Sequence, residues 1–138
     1  MQVKPKGFTL LEVIIVLALL SLIALIAYPN YIQYIYKSNR IDAMNSLFHY
    51  QALWQQCTLQ INNKQQCLDE YNLTHSTSSL ENHYQISAKN LSETTTQFQA
   101  TPTHSQKQDT YCQKFTLDNY GAQKAYDKDE KETTANCW

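Results

Sequence analysis

An apolar run from Phe8 to Tyr28, broken by one carboxylate at Glu12, constrains this chain more than any other stretch. Its 21 residues span about 30 Å as a helix, the thickness of a bilayer's hydrocarbon core. An ionised group inside such a helix costs roughly 2.5–3.5 kcal/mol even on insertion scales, so Glu12 needs a partner. Lys4 and Lys6 precede the run, and Lys37 and Arg40 follow at a distance, which places the leader on the cytoplasmic side and the remainder outside. A secretory signal has a shorter apolar core that ends in a small-residue site. Here the glycine stands before the run, so a cut is expected at Gly7. That cut removes residues 1–7, keeps the helix, and leaves Glu12 five positions along from a new amino terminus on Phe8. The freed ammonium is the partner the carboxylate lacks.

The rest of the 138-residue chain is strongly polar, since the mean hydropathy is -0.50 despite that run. The length suits one compact domain plus an appendage. Without Lys4 and Lys6 the chain keeps 9 Lys and Arg against 12 Asp and Glu, net -3. A nonspecific nucleic-acid binder clusters its cations because phosphate contacts supply most of the affinity; here they are scattered, and a DNA role would rest on local patches. Cys57, Cys67, Cys112 and Cys137 all lie downstream of the run, an even count that favours disulfides over metal or catalysis. His49, His75, His83 and His104 neither fall at i,i+4 nor flank the cysteines as zinc ligands do, and read as solvated surface.

The stretch Lys6-Gly7-Phe8-Thr9-Leu10-Leu11-Glu12-Val13-Ile14-Ile15-Val16 resembles the class III signal of type IV pilins and pseudopilins. The resemblance implies that a membrane peptidase cuts after Gly7 and that Phe8 is N-methylated. It also implies that Glu12 meets the amino terminus as subunits pack. Pairing two charges in an apolar filament core reads as register control, because a subunit out of register leaves Glu12 alone. Pro29 stands where family members carry a proline. A helix loses a hydrogen bond there, so a kink or a locally melted stretch is expected.

Beyond Pro29, Ile41, Met44, Leu47, Phe48, Gln51, Ala52 and Trp54 recur at helical spacing, with Asp42, Asn45, His49 and Gln55 between them. One helix is predicted from about Phe8 to about Thr58, apolar all round at first and one-sided later. It divides the chain into a leader (1–7), a transmembrane and filament-core helix (8–28), and an amphipathic helix with a globular head (29–138). Gln60 to Asn82 is polar and reads as an irregular connection. Cys57 and Cys67 bracket its start and suit a staple, although four cysteines allow three connectivities. Strand patterns cover His83–Ala88, Gln97–Thr101, Lys114–Leu117 and Gln123–Tyr126, with a turn at Asp118-Asn119-Tyr120-Gly121. The expected fold is α+β: a long helix on an antiparallel sheet of about four strands.

A second resemblance lies in residues 100–138. Ala100-Thr101-Pro102, Gln108-Asp109-Thr110-Tyr111-Cys112, Phe115-Thr116-Leu117-Asp118, Gly121 and Cys137-Trp138 are similar to the PilE-type minor pilins. It implies a type IV pilin fold whose C-terminal region is closed by Cys112 and Cys137. Neither resemblance extends to residues 60–99.

No phosphate loop, catalytic constellation or metal spacing is present in the sequence, so neither an enzyme nor a cofactor is expected. Asp127, Asp129, Glu130 and Glu132 are interrupted by Lys128 and Lys131 and lack a glycine turn, and so read as a solvated loop rather than a calcium site. The leading function is a minor subunit of a type IV pilus, single-pass in the inner membrane with its head periplasmic, then extracellular in the filament. The resemblance implies prepilin peptidase, other pilins and the inner-membrane assembly platform as partners, and roles in pilus biogenesis, twitching motility, adhesion or DNA uptake. The alternatives are a type II secretion pseudopilin and a DNA-binding competence pilin of the ComP type. The latter would use Lys89, Lys107, Lys114, Lys124, Lys128 and Lys131 with Tyr111, Tyr120 and Tyr126 for stacking; the acid balance counts against it.

Overall fold

A computed structural model describes residues 7–138. The leader, Gly7 apart, lies outside the described residues. The chain forms two compact units that divide between Ile35 and Tyr36.

Helix α1, Leu10–Ile61, belongs to both. In the first unit its side chains from Leu10 to Tyr31 are all exposed, so an all-round apolar surface lies bare and needs lipid or protein around it. The helix continues through Pro29 rather than melting. Proline's fixed φ suits a helix; what is lost is the N–H that Leu25 would accept, while the next residue, Asn30, donates its side-chain amide to the Ile26 carbonyl (3.2 Å).

The second unit adds α2 (Lys64–Glu70), β1 (Thr77–Ser78), β2 (Tyr84–Asn90), β3 (Thr96–Pro102), a 3₁₀ turn at His104–Gln108, β4 (Lys114–Asp118), β5 (Gln123–Tyr126) and α3 (Thr134–Cys137). The five strands pair antiparallel in the order β1-β2-β3-β4-β5, which makes the fold α+β with one strand more than the sequence pattern gives. Strand alternation sends Tyr84, Ile86, Ala88, Phe98, Ala100, Phe115, Leu117 and Ala125 inward, into one core with Ala43, Leu47 and Trp54 of α1. Trp54 meets Phe98 edge to face at 5.8 Å, and Trp138 meets both Phe115 (5.8 Å) and Phe48 (5.9 Å). Gly121, at φ +90, supplies the left-handed residue that the β4–β5 turn requires.

Two expectations need correction. The connection from Gln60 to Asn82 is not irregular throughout, for it holds α2 and β1. Asn63 is an N-cap, its side chain accepting from the Gln66 N–H (3.1 Å), and β1 is too short to show alternation. The buried stripe of α1 also differs. Ile41, Phe48 and Ala52 are exposed, whereas Asp42 and Ser46 are buried. The Asp42 carboxylate accepts from the Ser79 hydroxyl, the Glu81 N–H (3.0 Å) and the His83 N–H (3.3 Å), and Ser46 Oγ takes the Leu80 N–H (3.0 Å). These two polar residues satisfy the backbone of the loop that enters β2, which rotates the inward face towards them.

A second buried network fixes the 3₁₀ turn. Arg40 grips Asp109 with Nε on Oδ2 (2.7 Å) and Nη2 on Oδ1 (2.9 Å). Gln106 donates to the Tyr84 hydroxyl (2.9 Å) and the Tyr36 carbonyl (3.2 Å), and Tyr36 donates to Gln108 Oε1 (2.9 Å). Burial pushes the Tyr84 phenol well above its ordinary range, against the lowering effect of the Gln106 bond, so it stays neutral. Disulfides join Cys57 to Cys67 and Cys112 to Cys137. The first ties α1 to α2, and the second ties the start of β4 to α3.

Candidate assembly segment and nucleic-acid interface

In the first unit Thr9 opens α1. Its hydroxyl accepts from the Glu12 N–H (3.2 Å) and its carbonyl accepts from the Val13 N–H (3.3 Å), as an N-cap does. Glu12 therefore lies in the first turn, where the helix dipole favours a carboxylate. Phe8 and Glu12 line one shallow apolar groove of about 260 Å³ with Val13, Val16 and Leu17. Among the described residues, a Cβ on Gly7 would meet nothing within 4 Å. Among the described residues no steric demand accounts for glycine at that position.

In the second unit the sheet's outer face is polar. Lys89, Gln97, Gln99, Thr101 and Lys114 alternate with the buried residues of β2, β3 and β4. Register places Gln99 opposite Ser87 and Thr116, and Lys114 opposite Tyr126. Where β3 and β4 meet the turn after β5 there is a groove of about 390 Å³, lined by Gln99, Thr101, Lys107, Gln113, Lys114 and Lys128 together with Pro102, Asp127 and Glu130. Its lysines come from three different elements. Gln113 fastens the 3₁₀ turn to β4 by donating to the carbonyls of Lys107 (2.7 Å) and Asp109 (2.8 Å). The Lys128 N–H bonds the Thr110 carbonyl (3.1 Å).

Of the six lysines proposed from sequence, Lys107, Lys114 and Lys128 share this groove. Lys89 lines a neighbouring one of about 210 Å³ with Thr74, Ser87, Gln97 and Gln99. Lys124 faces Glu132 instead (3.9 Å), and Lys131 is exposed. Of the three tyrosines only Tyr126 reaches the groove's cations, its ring 4.6 Å from Lys114 Nζ. The Tyr111 hydroxyl accepts from Asn136, and Tyr120 donates to the Thr94 carbonyl. Of the acidic residues after β5, Asp127 holds the turn, its Oδ1 accepting the N–H groups of Asp129 (2.8 Å) and Lys131 (2.9 Å), and Glu130 pairs with Lys114. Gln99, Thr101 and Gln113 were missed by the sequence reading, although the outward positions of an alternating strand would have pointed to the first two.

Two family models match. The prokaryotic N-terminal methylation motif covers residues 4–28, and the model described as type IV minor pilin ComP, DNA uptake sequence receptor, covers residues 29–116. No curated protein is matched by the chain. Pilins are structural proteins that assemble with other pilins. The methylation motif and the apolar helix indicate membrane anchoring before assembly into a pilus. The second match spans well over half of the chain, including β2, β3, the 3₁₀ turn and most of β4, so the chain belongs to the ComP family of type IV minor pilins.

Proposed function

We propose that this minor pilin carries DNA-binding capacity into the pilus and acts in DNA uptake, with no catalytic activity of its own. The observation that carries this reading is the match over residues 29–116, which takes in Lys107 and Lys114 of the groove and ends before Asp127, Lys128 and Glu130. The net charge of -3 without the leader lysines is no obstacle, because a phosphate backbone responds to cations within a Debye length, about 8–10 Å, rather than to the molecule's total. The mature chain, kept in a non-ionic detergent, is expected to bind a short fluorescent duplex with an affinity that falls at least ten-fold between about 50 and 200 mM salt. A titration without salt-sensitive binding would sink the DNA reading.

Assembly rests on the first unit. Prepilin peptidase cuts after Gly7, for which the bare surroundings of that glycine leave an outside reader as the reason. Phe8 is then methylated, and its ammonium meets Glu12 of a neighbouring pilin. Pro29 marks where the helix has one hydrogen bond fewer and bends at lower cost during transfer from lipid to filament. Before assembly the leader is cytoplasmic, the head periplasmic, and the inner-membrane assembly platform the partner. Glu12→Ala leaves a buried ammonium unpaired, at a cost of about 3–5 kcal/mol. The variant should therefore be nearly absent from sheared filaments while its membrane level stays unchanged; equal incorporation would remove the pairing hypothesis.

A further inference from the structure

We infer that the groove between the outer face of β3 and β4 and the turn at 127–131 seats the phosphodiester backbone of DNA, and that in the free protein the Glu130 carboxylate stands where a phosphate oxygen sits in the complex. This rests on the DNA reading above and adds to it the place and the competitor.

The cation is built in and the carboxylate is not. The Lys114 side chain is only 20 % exposed, with its ammonium over the Tyr126 ring, whereas Glu130, which pairs with it, is 72 % exposed. The turn that carries Glu130 is held by Asp127, whose carbonyl accepts the Glu130 N–H (3.2 Å) and whose Oδ1 accepts from the residues on either side. Glu130 itself adopts the left-handed region (φ 62), where a glycine or asparagine would be easier. The backbone is thus fixed without the Glu130 side chain, and Lys114 is the one partner of its carboxylate among the described residues. That side chain is free to swing into water without unfolding anything.

The backbone that carries each flanking cation is likewise tied, while the two side chains themselves are exposed. The Gln113 amide holds Lys107 against β4, and the Lys128 N–H is bonded to Thr110. A phosphate entering between them meets three lysines that share one groove and exchanges one carboxylate for one phosphate at Lys114. Consecutive phosphates then engage Lys107 and Lys128, so a polyanion displaces Glu130 where an isolated anion does not. While Glu130 remains in place, Lys114 neutralises no phosphate, and binding must first break the Lys114–Glu130 pair.

The test is Glu130→Gln in the full mature chain in non-ionic detergent, titrated with the same duplex across salt concentration. Without the competing carboxylate, binding no longer has to break the Lys114–Glu130 pair. Binding should tighten by about five-fold at 0.1 M salt, the most that a partly exposed ion pair is worth, with the slope of log K against log salt unchanged because Lys114 meets a phosphate in both complexes. Glu132→Gln makes the same charge change at a carboxylate that faces Lys124 outside the groove, and should leave affinity within two-fold. Adding Lys114→Gln to Glu130→Gln should abolish the gain. Salt-sensitive binding by the wild type that Glu130→Gln leaves unaltered would overturn this inference while the DNA reading stands. Absence of binding by both chains would overturn the DNA reading itself. An equal gain in Glu132→Gln would reduce the effect to net charge, and a gain on anionic lipid vesicles but not on the duplex would reassign the groove to a membrane surface; either result overturns the inference.

Discussion

Asp109→Ala is expected to cost about 3–5 kcal/mol of folding stability, because it leaves the largely buried Arg40 guanidinium without its partner. The side chains of Arg40 and Asp109 are only 12 % and 2 % exposed, and the pair is bidentate, so neither solvent screening nor rearrangement softens the loss. Set against the roughly 5–15 kcal/mol that holds a domain together, this is a third or more of the whole. Denaturant unfolding of the full chain, followed by near-ultraviolet circular dichroism, reads it directly; a loss below about 1 kcal/mol would mean that the pair behaves as a surface one. Replacing both partners with apolar residues, Arg40→Met with Asp109→Leu, should recover much of the stability, since two desolvation penalties vanish together. The single variant should also loosen the 3₁₀ turn. Gln106, two residues before Gln108, loses a neighbour there, and Lys107 stands between the two.

Removing the Cys112–Cys137 bridge by paired serine substitutions is expected to cost about 3.5 kcal/mol on the loop-entropy model, against about 2.7 kcal/mol for Cys57–Cys67, whose loop is shorter. The sequence separations are 25 and 10. The consequences differ more than these magnitudes. Cys137 precedes Trp138, whose ring packs on Phe48 and Phe115, so loss of the longer bridge should also release an indole into water and shift its fluorescence to the red. The turn that carries Lys128 and Glu130 lies between Cys112 and Cys137, so DNA affinity should fall in this variant and hold in the Cys57/Cys67 one. Unchanged melting temperature and fluorescence after loss of Cys112–Cys137 would show that the bridge constrains little.

What the sequence made legible was whatever has a period. The all-apolar helix shows itself by length, and β2 to β5 by alternation, because a side chain's direction repeats every 3.6 or 2 residues. What stayed hidden was polar and buried. Asp42 and Ser46 look like the solvent side of a helix until the backbone of residues 79–83 arrives to donate to them. Arg40 and Asp109 sit 69 positions apart, and no local pattern joins them. The site was half legible for a related reason. Gly7, Phe8 and Glu12 are read in order along the chain, but Lys107, Lys114 and Lys128 become neighbours only when a 3₁₀ turn, a strand and a turn converge, so the cations looked scattered. Counting charge over the whole chain averages away such a cluster.

Both bridges join cysteines that are consecutive among the four, Cys57 with Cys67 and Cys112 with Cys137, and neither encloses a cysteine of the other. An oxidant that pairs thiols in the order in which they emerge from a translocation pore makes both native bonds and neither wrong one. The strand order is sequential in the same sense, each strand pairing with the one just before it. The head is thus arranged for assembly from one end to the other, with no step that requires an earlier bond to be undone.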